Sequence, residues 1–277
     1  MAYEEVIYEV SDAVATVTLN RPTKLNAWTA KMEAEVQEAM LSAARDERVR
    51  VIVLTGAGRG FCAGADMGNL ESTAKSATPG DIEKRLRDHF AGPRIEGARA
   101  DFQKTYSYFP AIGKPIIGAI NGATAGLGFV IALYCDIRFA SDQAKFSTAF
   151  ARRGLIAEYG MSWMLPRLVG AANALDLLFS ARLIDAAEAL RMGLVSRVIP
   201  QEQFTGEVRK YAIELATASS PRSTRIIKKQ VYDALFSDLG QAIDAAGEEM
   251  IKALACQDFK EGVAHFIEKR APAFTGK

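Results

Sequence analysis

The sequence predicts an α/β fold in which strands and helices alternate before an all-helical tail. Three observations predict it. The β-branched run Val51-Ile52-Val53-Leu54-Thr55 enters the turn Gly56-Ala57-Gly58-Arg59-Gly60. Lys114-Pro115-Ile116-Ile117 leads through the small-residue stretch at 118–128 into the apolar Phe129-Val130-Ile131-Ala132-Leu133. After Ile199 no strand signal remains, and apolar residues recur at helical spacing. Strand, small-residue turn and apolar helix, repeated, pack as helices on a sheet.

The elements follow in chain order. Residues 6–10 and 14–19 read as strands around a Ser11-Asp12 turn, and Asn20-Arg21-Pro22 ends the hairpin. Over 29–44, Met32, Val36, Ala39, Met40 and Ala43 recur three and four apart, with Thr29 placed as N-cap. Residues 51–55 form the next strand. Residues 71–81 are polar, with Pro79 and Gly80, and read as a loop, while 82–90 are charged and helical, stopped by Gly92-Pro93. The segment 69–100 suits a mobile lid or substrate wall, or equally a solvated insertion. Residues 102–109 look helical. Strands are expected at 116–120, 137–140 and 194–199, and helices at 126–133, 160–168 (Pro166 near the end), 175–179 and 186–192. The tail shows helical spacing at 208–218, 222–235, 239–254 and 259–267, dividing the chain into a core over 1–200 and a helical region over 201–277.

A chain of 277 residues suits one α/β core with an appended helical region. Hydrophobic content of 49% fits a sizeable core. Net charge of +1 supplies no argument for nucleic acid or membrane as partner. Cys62, Cys135 and Cys256 show no paired spacing, as expected of a reduced cytoplasmic chain. The acidic start Met1-Ala2-Tyr3-Glu4-Glu5 is unlike a signal peptide, and the apolar run at 129–133 is too short to span a bilayer. His89 and His265 are the only histidines, so no metal site is expected.

Glycine- and alanine-rich turns between strand and helix aim backbone N–H groups at one place, with a helix N-terminus behind them. Such a place stabilises a phosphate or a developing oxyanion. Here a resemblance becomes specific. Phe61-Cys62-Ala63-Gly64-Ala65-Asp66 resembles the first signature of the crotonase (enoyl-CoA hydratase/isomerase) superfamily. Ala119-Ile120-Asn121-Gly122 through Gly128, then Cys135-Asp136-Ile137-Arg138-Phe139-Ala140, resembles the second. The likeness runs from Val6 to the end of the chain. It implies a spiral of repeated ββα units with a C-terminal helical trimerisation region, in a homotrimer or hexamer. It also implies an acyl-CoA substrate, with coenzyme A as part of that substrate and no separate cofactor.

By position, the resemblance assigns an oxyanion hole to the N–H groups of Ala65 and Leu127. Many relatives carry Gly where Leu127 stands, so this side chain is expected to narrow the acyl pocket. The alternative is that the glycines serve only tight turns and close packing. The two glutamates of the hydratases fall at Val130 and Phe150, neither of which accepts a proton. Glu158, in Gly154-Leu155-Ile156-Ala157-Glu158-Tyr159-Gly160, instead matches the single carboxylate of the Δ3,Δ2-enoyl-CoA isomerases. Leu155, Ile156, Ala157 and Tyr159 would desolvate it and raise its pKa. Capping of a helix beginning near Gly160 is the competing role.

Residues similar to the family's CoA-binding positions are Lys24, Leu25, Ala27, Ala63, Gly64, Asp66, Met67 and Gly126. Phe266 and Lys269 resemble a segment that reaches CoA from a neighbouring subunit. Tyr106, Tyr108, Phe109, Phe129 and Trp163 suit core or pocket wall. His89 is expected at the surface and His265 at an interface. Arg152-Arg153 suits surface charge, a partner for Glu158 or a contact to an acidic acyl group. The favoured expectation is double-bond isomerisation. The alternatives are hydration by Glu158 and a non-catalytic CoA-binding role.

Overall fold

The computed structural model describes residues 3–68, 71, 78, 80, 81, 83, 84 and 90–277. Most of the expected loop over 71–81, most of the expected helix over 82–90 and His89 therefore lie outside the described residues, while Glu71, Gly80 and Asp81 are helical rather than loop.

Two sheets form the core. The larger has the order β1 (Val6–Ser11), β2 (Val14–Leu19), β3 (Val51–Gly56), β5 (Ile116–Ile120), β7 (Ile137–Ser141) and β10 (Arg197–Ile199). Its first pair is antiparallel and the others are parallel. The smaller has the order β4 (Gly60–Cys62), β6 (Ala123–Ala125), β8 (Lys145–Ser147) and β9 (Ile184–Asp185). Consecutive strands β3/β4, β5/β6 and β7/β8 fall in different sheets, so each repeat adds one strand to each. This is the expected spiral of ββα units, and the small sheet is the part that sequence periodicity missed. Strands of two or three residues are too short to alternate.

Helix α1 (Ala30–Arg45) buries the five residues predicted from spacing, and the Thr29 hydroxyl accepts from the Met32 N–H at 3.0 Å. Burial of Met32, Val36 and Met40 contributes about 1.5–3 kcal/mol each. Along β3, Ile52 and Leu54 face this side, while Val51 and Val53 face the other. A central parallel strand buried on both faces reads as an unbroken apolar run for that reason.

Further along, the chain forms α2 (Leu127–Tyr134), α3 (Met161–Val169), α4 (Ala171–Ser180) and α5 (Ala186–Arg191), and then the tail helices α6 (Gln201–Ala218), α7 (Pro221–Ala234), α8 (Leu239–Ala255) and α9 (Gln257–Glu268). Helix α6 lies on the tail side of residue 200 yet closes the outer face of the large sheet. Its Phe204, Val208, Ala212 and Ala216 pack on Val51, Val53, Ile117 and Phe139. Lys228 on α7 pins the tail to the core through a 2.7 Å ion pair with Asp136.

Two further expectations change. Residues 102–109 are not one helix. Short 3-10 turns at Ala100–Phe102 and Phe109–Ala111 flank Tyr106, whose φ of 67° no right-handed helix contains. The last strand is only Arg197–Ile199, with Leu194 and Val195 buried on its approach. Pro166 lies near the end of α3, as expected, and the helix runs on to a Gly170 C-cap. Among the described residues, no helix is long and apolar enough to cross a membrane.

Candidate active site

Two buried asparagines staple the first glycine-rich turn. Asn26 donates to the carbonyls of Ala57 (3.0 Å) and Gly60 (2.8 Å). Asn121 donates to Gly58 (2.9 Å) and accepts from the Gly56 N–H (3.1 Å). The turns leading out of the two motifs then meet. A Cβ on Gly126 would lie 3.8 Å from the Gly64 Cα, and a Cβ on Gly128 would lie 2.1 Å from the Cys62 carbonyl oxygen. Glycine at 128 is what lets α2 approach β4 so closely.

This packing sets two backbone donors. The Trp28 N–H bonds the Gly64 carbonyl (2.7 Å), and the Asp66 N–H bonds the Trp28 carbonyl (3.0 Å). That parallel bridge leaves the intervening Ala65 N–H directed away from Trp28. Leu127 is the first residue of α2, behind a Gly126 N-cap at φ 51° and ψ −118°, with no side chain capping the helix. Its N–H precedes the first intrahelical bond, from Val130 N to Gly126 O at 3.0 Å. Among the described residues, neither the Ala65 nor the Leu127 N–H is given a protein acceptor. Two such donors from adjoining turns suit an anionic oxygen.

Several residues assigned to CoA gather around this point. The Ala63 N–H bonds the Leu25 carbonyl at 3.0 Å. Arg21, which sequence analysis did not single out, donates to the Ala27 carbonyl (2.5 Å) and to Asp66 (3.0 Å), and pairs with Glu5 at 3.3 Å. The Arg21 hydrogen bond holds the Asp66 carboxyl below its ordinary range. Lys24 and Met67 are exposed. Phe266, 80% exposed, and Lys269, the left-handed C-cap of α9, lie at the far end of the tail. No contact among the described residues brings them to these turns within one chain.

Glu158 is half-buried in the turn before α3, and its carbonyl accepts from the Met161 N–H at 2.9 Å. The N-cap of α3 is Gly160, which has no side chain with which to cap the helix. The expected shielding is only partial. Leu155 is 39% and Ile156 78% exposed, while Ala157 and Tyr159 pack on the core. Tyr159 stands at φ 50°, and its carbonyl accepts from the Tyr134 hydroxyl at 2.7 Å. Burial, and then the charge of Glu158, raises the Tyr159 phenol above its ordinary range. Burial pushes the Tyr134 phenol up to about 12. Val130 and Phe150 are buried apolar side chains. Arg152 and Arg153 are exposed and donate to the carbonyls of Ser180 (2.8 Å) and Ala149 (3.1 Å).

Beside these turns lies a cavity of about 130 Å³ whose walls include Trp28, Glu33, Tyr106, Tyr108 and Ile131. Ile131 is one helical turn beyond Leu127, on the same face of α2. Tyr106 and Tyr108, expected as core or pocket wall, are buried in the core and line this cavity. Trp28 and Glu33 were not identified, because nothing local distinguishes them from a core aromatic and a solvated helix charge.

The family model described as "Enoyl-CoA hydratase/isomerase" matches residues 9–277. The 1,2-epoxyphenylacetyl-CoA isomerase of Escherichia coli (strain K12) is 34% identical over 276 residues, covering 99% of each chain. The crotonyl-CoA hydratase of Syntrophomonas wolfei is 32% identical over 278 residues, covering 100% of each. The crystal structure of an enoyl-CoA hydratase from Bacillus anthracis superposes with a TM-score of 0.86 at 26% identity, over 99% of this chain and 100% of that one.

Proposed function

Because the chain belongs to the enoyl-CoA hydratase/isomerase family, we propose that it shifts the double bond of an enoyl-CoA, with Glu158 as the single acid/base. Glu158 removes a proton from C2 of a 3-enoyl thioester. The electron pair moves onto the thioester oxygen, giving a dienolate that the Ala65 and Leu127 N–H groups hold. The proton returns at C4, leaving the double bond between C2 and C3. A preorganised donor of this kind is worth about 3–4 kcal/mol in the transition state.

The observation that carries the proposal is that Val130 and Phe150 are buried apolar side chains at the positions where hydratases carry glutamates, which leaves Glu158 as the carboxylate at a family acid/base position. A single group that accepts and returns one proton suffices for isomerisation. The cavity of about 130 Å³ suits a short or single-ring acyl group, since a cavity of about 150 Å³ accommodates benzene. The CoA portion would run along Lys24, Leu25, Ala27, Ala63, Asp66 and Met67. The exposed apolar residues of the tail, among them Ile227, Val231, Ile243, Ile251 and Ile267, suit burial between copies in a trimer that brings Phe266 and Lys269 to a neighbour's CoA. The buried thiols of Cys62 and Cys135 fit a cytoplasmic enzyme.

Hydration is the second reading, favoured by the hydratase names of relatives such as the Syntrophomonas protein. There Glu158 would activate a water to attack C3 of a 2-enoyl thioester. One experiment separates the two. A short trans-3-enoyl-CoA and the matching trans-2-enoyl-CoA are incubated separately in deuterated water and followed by NMR. Conversion of the first to the 2-enoyl thioester, with deuterium entering, supports isomerisation, and accumulation of 3-hydroxyacyl-CoA from the second supports hydration. Both substrates bound but unchanged overturn both readings for this acyl group.

A further inference from the structure

We infer that Glu33 is a positioning residue that locks the Ala65 donor and the Glu158 turn into one geometry. The inference rests on the roles proposed above for Ala65 and Glu158. Glu33 lies in the first turn of α1. Its Oε2 accepts from the Trp28 indole N–H at 3.2 Å and from the Tyr106 hydroxyl. Each donor leads to a different half of the site.

The first arm is Trp28. Its own N–H and C=O bracket Ala65 through the bonds to Gly64 and Asp66, so the indole anchor sets where the Ala65 N–H points. The second arm is Tyr106. Its ring meets the Tyr159 ring edge to face at 5.0 Å, and Tyr159 adjoins Glu158. Tyr159 is in turn held by the Tyr134 hydroxyl, from the helix whose N-terminus supplies Leu127. The chain of contacts therefore runs from the backbone around Ala65 to the residue next to Glu158 and to the helix that begins at Leu127.

Two features go beyond what packing alone requires. Tyr106 and Tyr159 both stand in the left-handed region, at φ 67° and 50°. Bulky residues reach it at a cost, and adjoining outliers mark over-determined sites. Trp28 and Tyr106 are also almost fully buried, and a carboxylate against such walls is less favourable than an apolar side chain of equal size unless its hydrogen bonds are used. Burial and then the Glu33 charge raise the Tyr106 phenol far above its ordinary range, so its hydroxyl remains a donor wherever the protein is folded.

The test uses the full-length protein with two readouts. One is the infrared carbonyl band of bound butyryl-CoA labelled with ¹³C at the thioester, which reports the two donors and needs no reaction. The other is kcat and KM for the 3-enoyl substrate. Glu33→Ala is expected to lower kcat by about tenfold to a hundredfold, leave KM within about twofold and weaken the carbonyl red shift. Glu33→Gln, which keeps an acceptor oxygen, is expected to recover most of both. Trp28→Phe should weaken the red shift, whereas Tyr106→Phe should lower kcat and leave the band in place. Wild-type bands and kcat in Glu33→Ala, or a loss of thermal stability alone, would overturn the inference. If Glu33→Ala does not fold, Trp28→Phe and Tyr106→Phe decide it by the same criteria. Absence of the red shift in the wild type would instead overturn the assignment of Ala65 and Leu127, and this inference with it. A shifted band without turnover would overturn the proposed reaction, and the Trp28 arm would still be decided by the band.

Discussion

A Cβ built on Gly64 would stand 2.9 Å from the carbonyl oxygen of Ala125. That approach holds the Ala65 turn against the Leu127 turn, and Gly64 has a φ of +100°, which L side chains rarely adopt. Gly64→Ala is therefore expected to cost about 1–3 kcal/mol from backbone strain. It should also lower kcat by about a hundredfold as the donors separate. Urea unfolding and steady-state kinetics check it. Wild-type turnover in a folded Gly64→Ala protein would mean that this contact does not set the donors.

Glu158→Gln keeps the size of the side chain and removes its basicity. The expected result is a kcat lower by about 10²–10⁴-fold, with butyryl-CoA affinity within about twofold of the wild type. Isothermal titration and the isomerisation assay measure the two quantities. Retained turnover would remove Glu158 from the mechanism.

Lys228 and Lys229 are adjacent but should differ in their importance. Lys228 is buried, pairs with Asp136 at 2.7 Å and donates to the carbonyls of Phe109 (3.0 Å) and Lys114 (3.1 Å). Lys228→Ala leaves the Asp136 charge without its counter-ion, at an expected cost of about 3–5 kcal/mol. Lys229 forms an exposed pair with Asp233 one turn away, and Lys229→Ala should change stability by about 0–1 kcal/mol. Equal effects in denaturant titration would contradict the burial contrast.

Glu261 accepts from Arg270 at 2.8 Å and from the Ala273 N–H at 2.6 Å, and these bonds, the Arg270 side chain foremost, lower its carboxyl pKa to about 2. A depressed carboxylate pKa stabilises the fold above the unfolded-state value, about 4.3. That contribution is lost as pH falls through the folded-state value. The gap in melting temperature between the wild type and Glu261→Gln should be constant near neutrality and close between about pH 4.5 and 2. A gap that persists unchanged at pH 2 would show that the charge on Glu261 is not its source.

The sequence by itself determined the elements whose signal is local. The apolar stripe of α1 was legible because 3.6-residue spacing leaves the same five residues facing the sheet. The strand β3 and the two glycine-rich turns were legible from equally local signals. What lay beyond local pattern was decided by tertiary structure. The short strand β8 exists because Phe146 pairs with Thr124 on one side and Ile184 on the other. The 102–109 segment has helical spacing, yet Tyr106 turns left-handed within it, where its hydroxyl meets Glu33, 73 positions away in the chain. Leu155 and Ile156 read as a shield for Glu158, but the turn that carries them faces outward. Spacing along a chain encodes which face a residue shares with its neighbours. It does not encode which distant group completes a hydrogen bond, as Glu33 does for the Tyr106 hydroxyl.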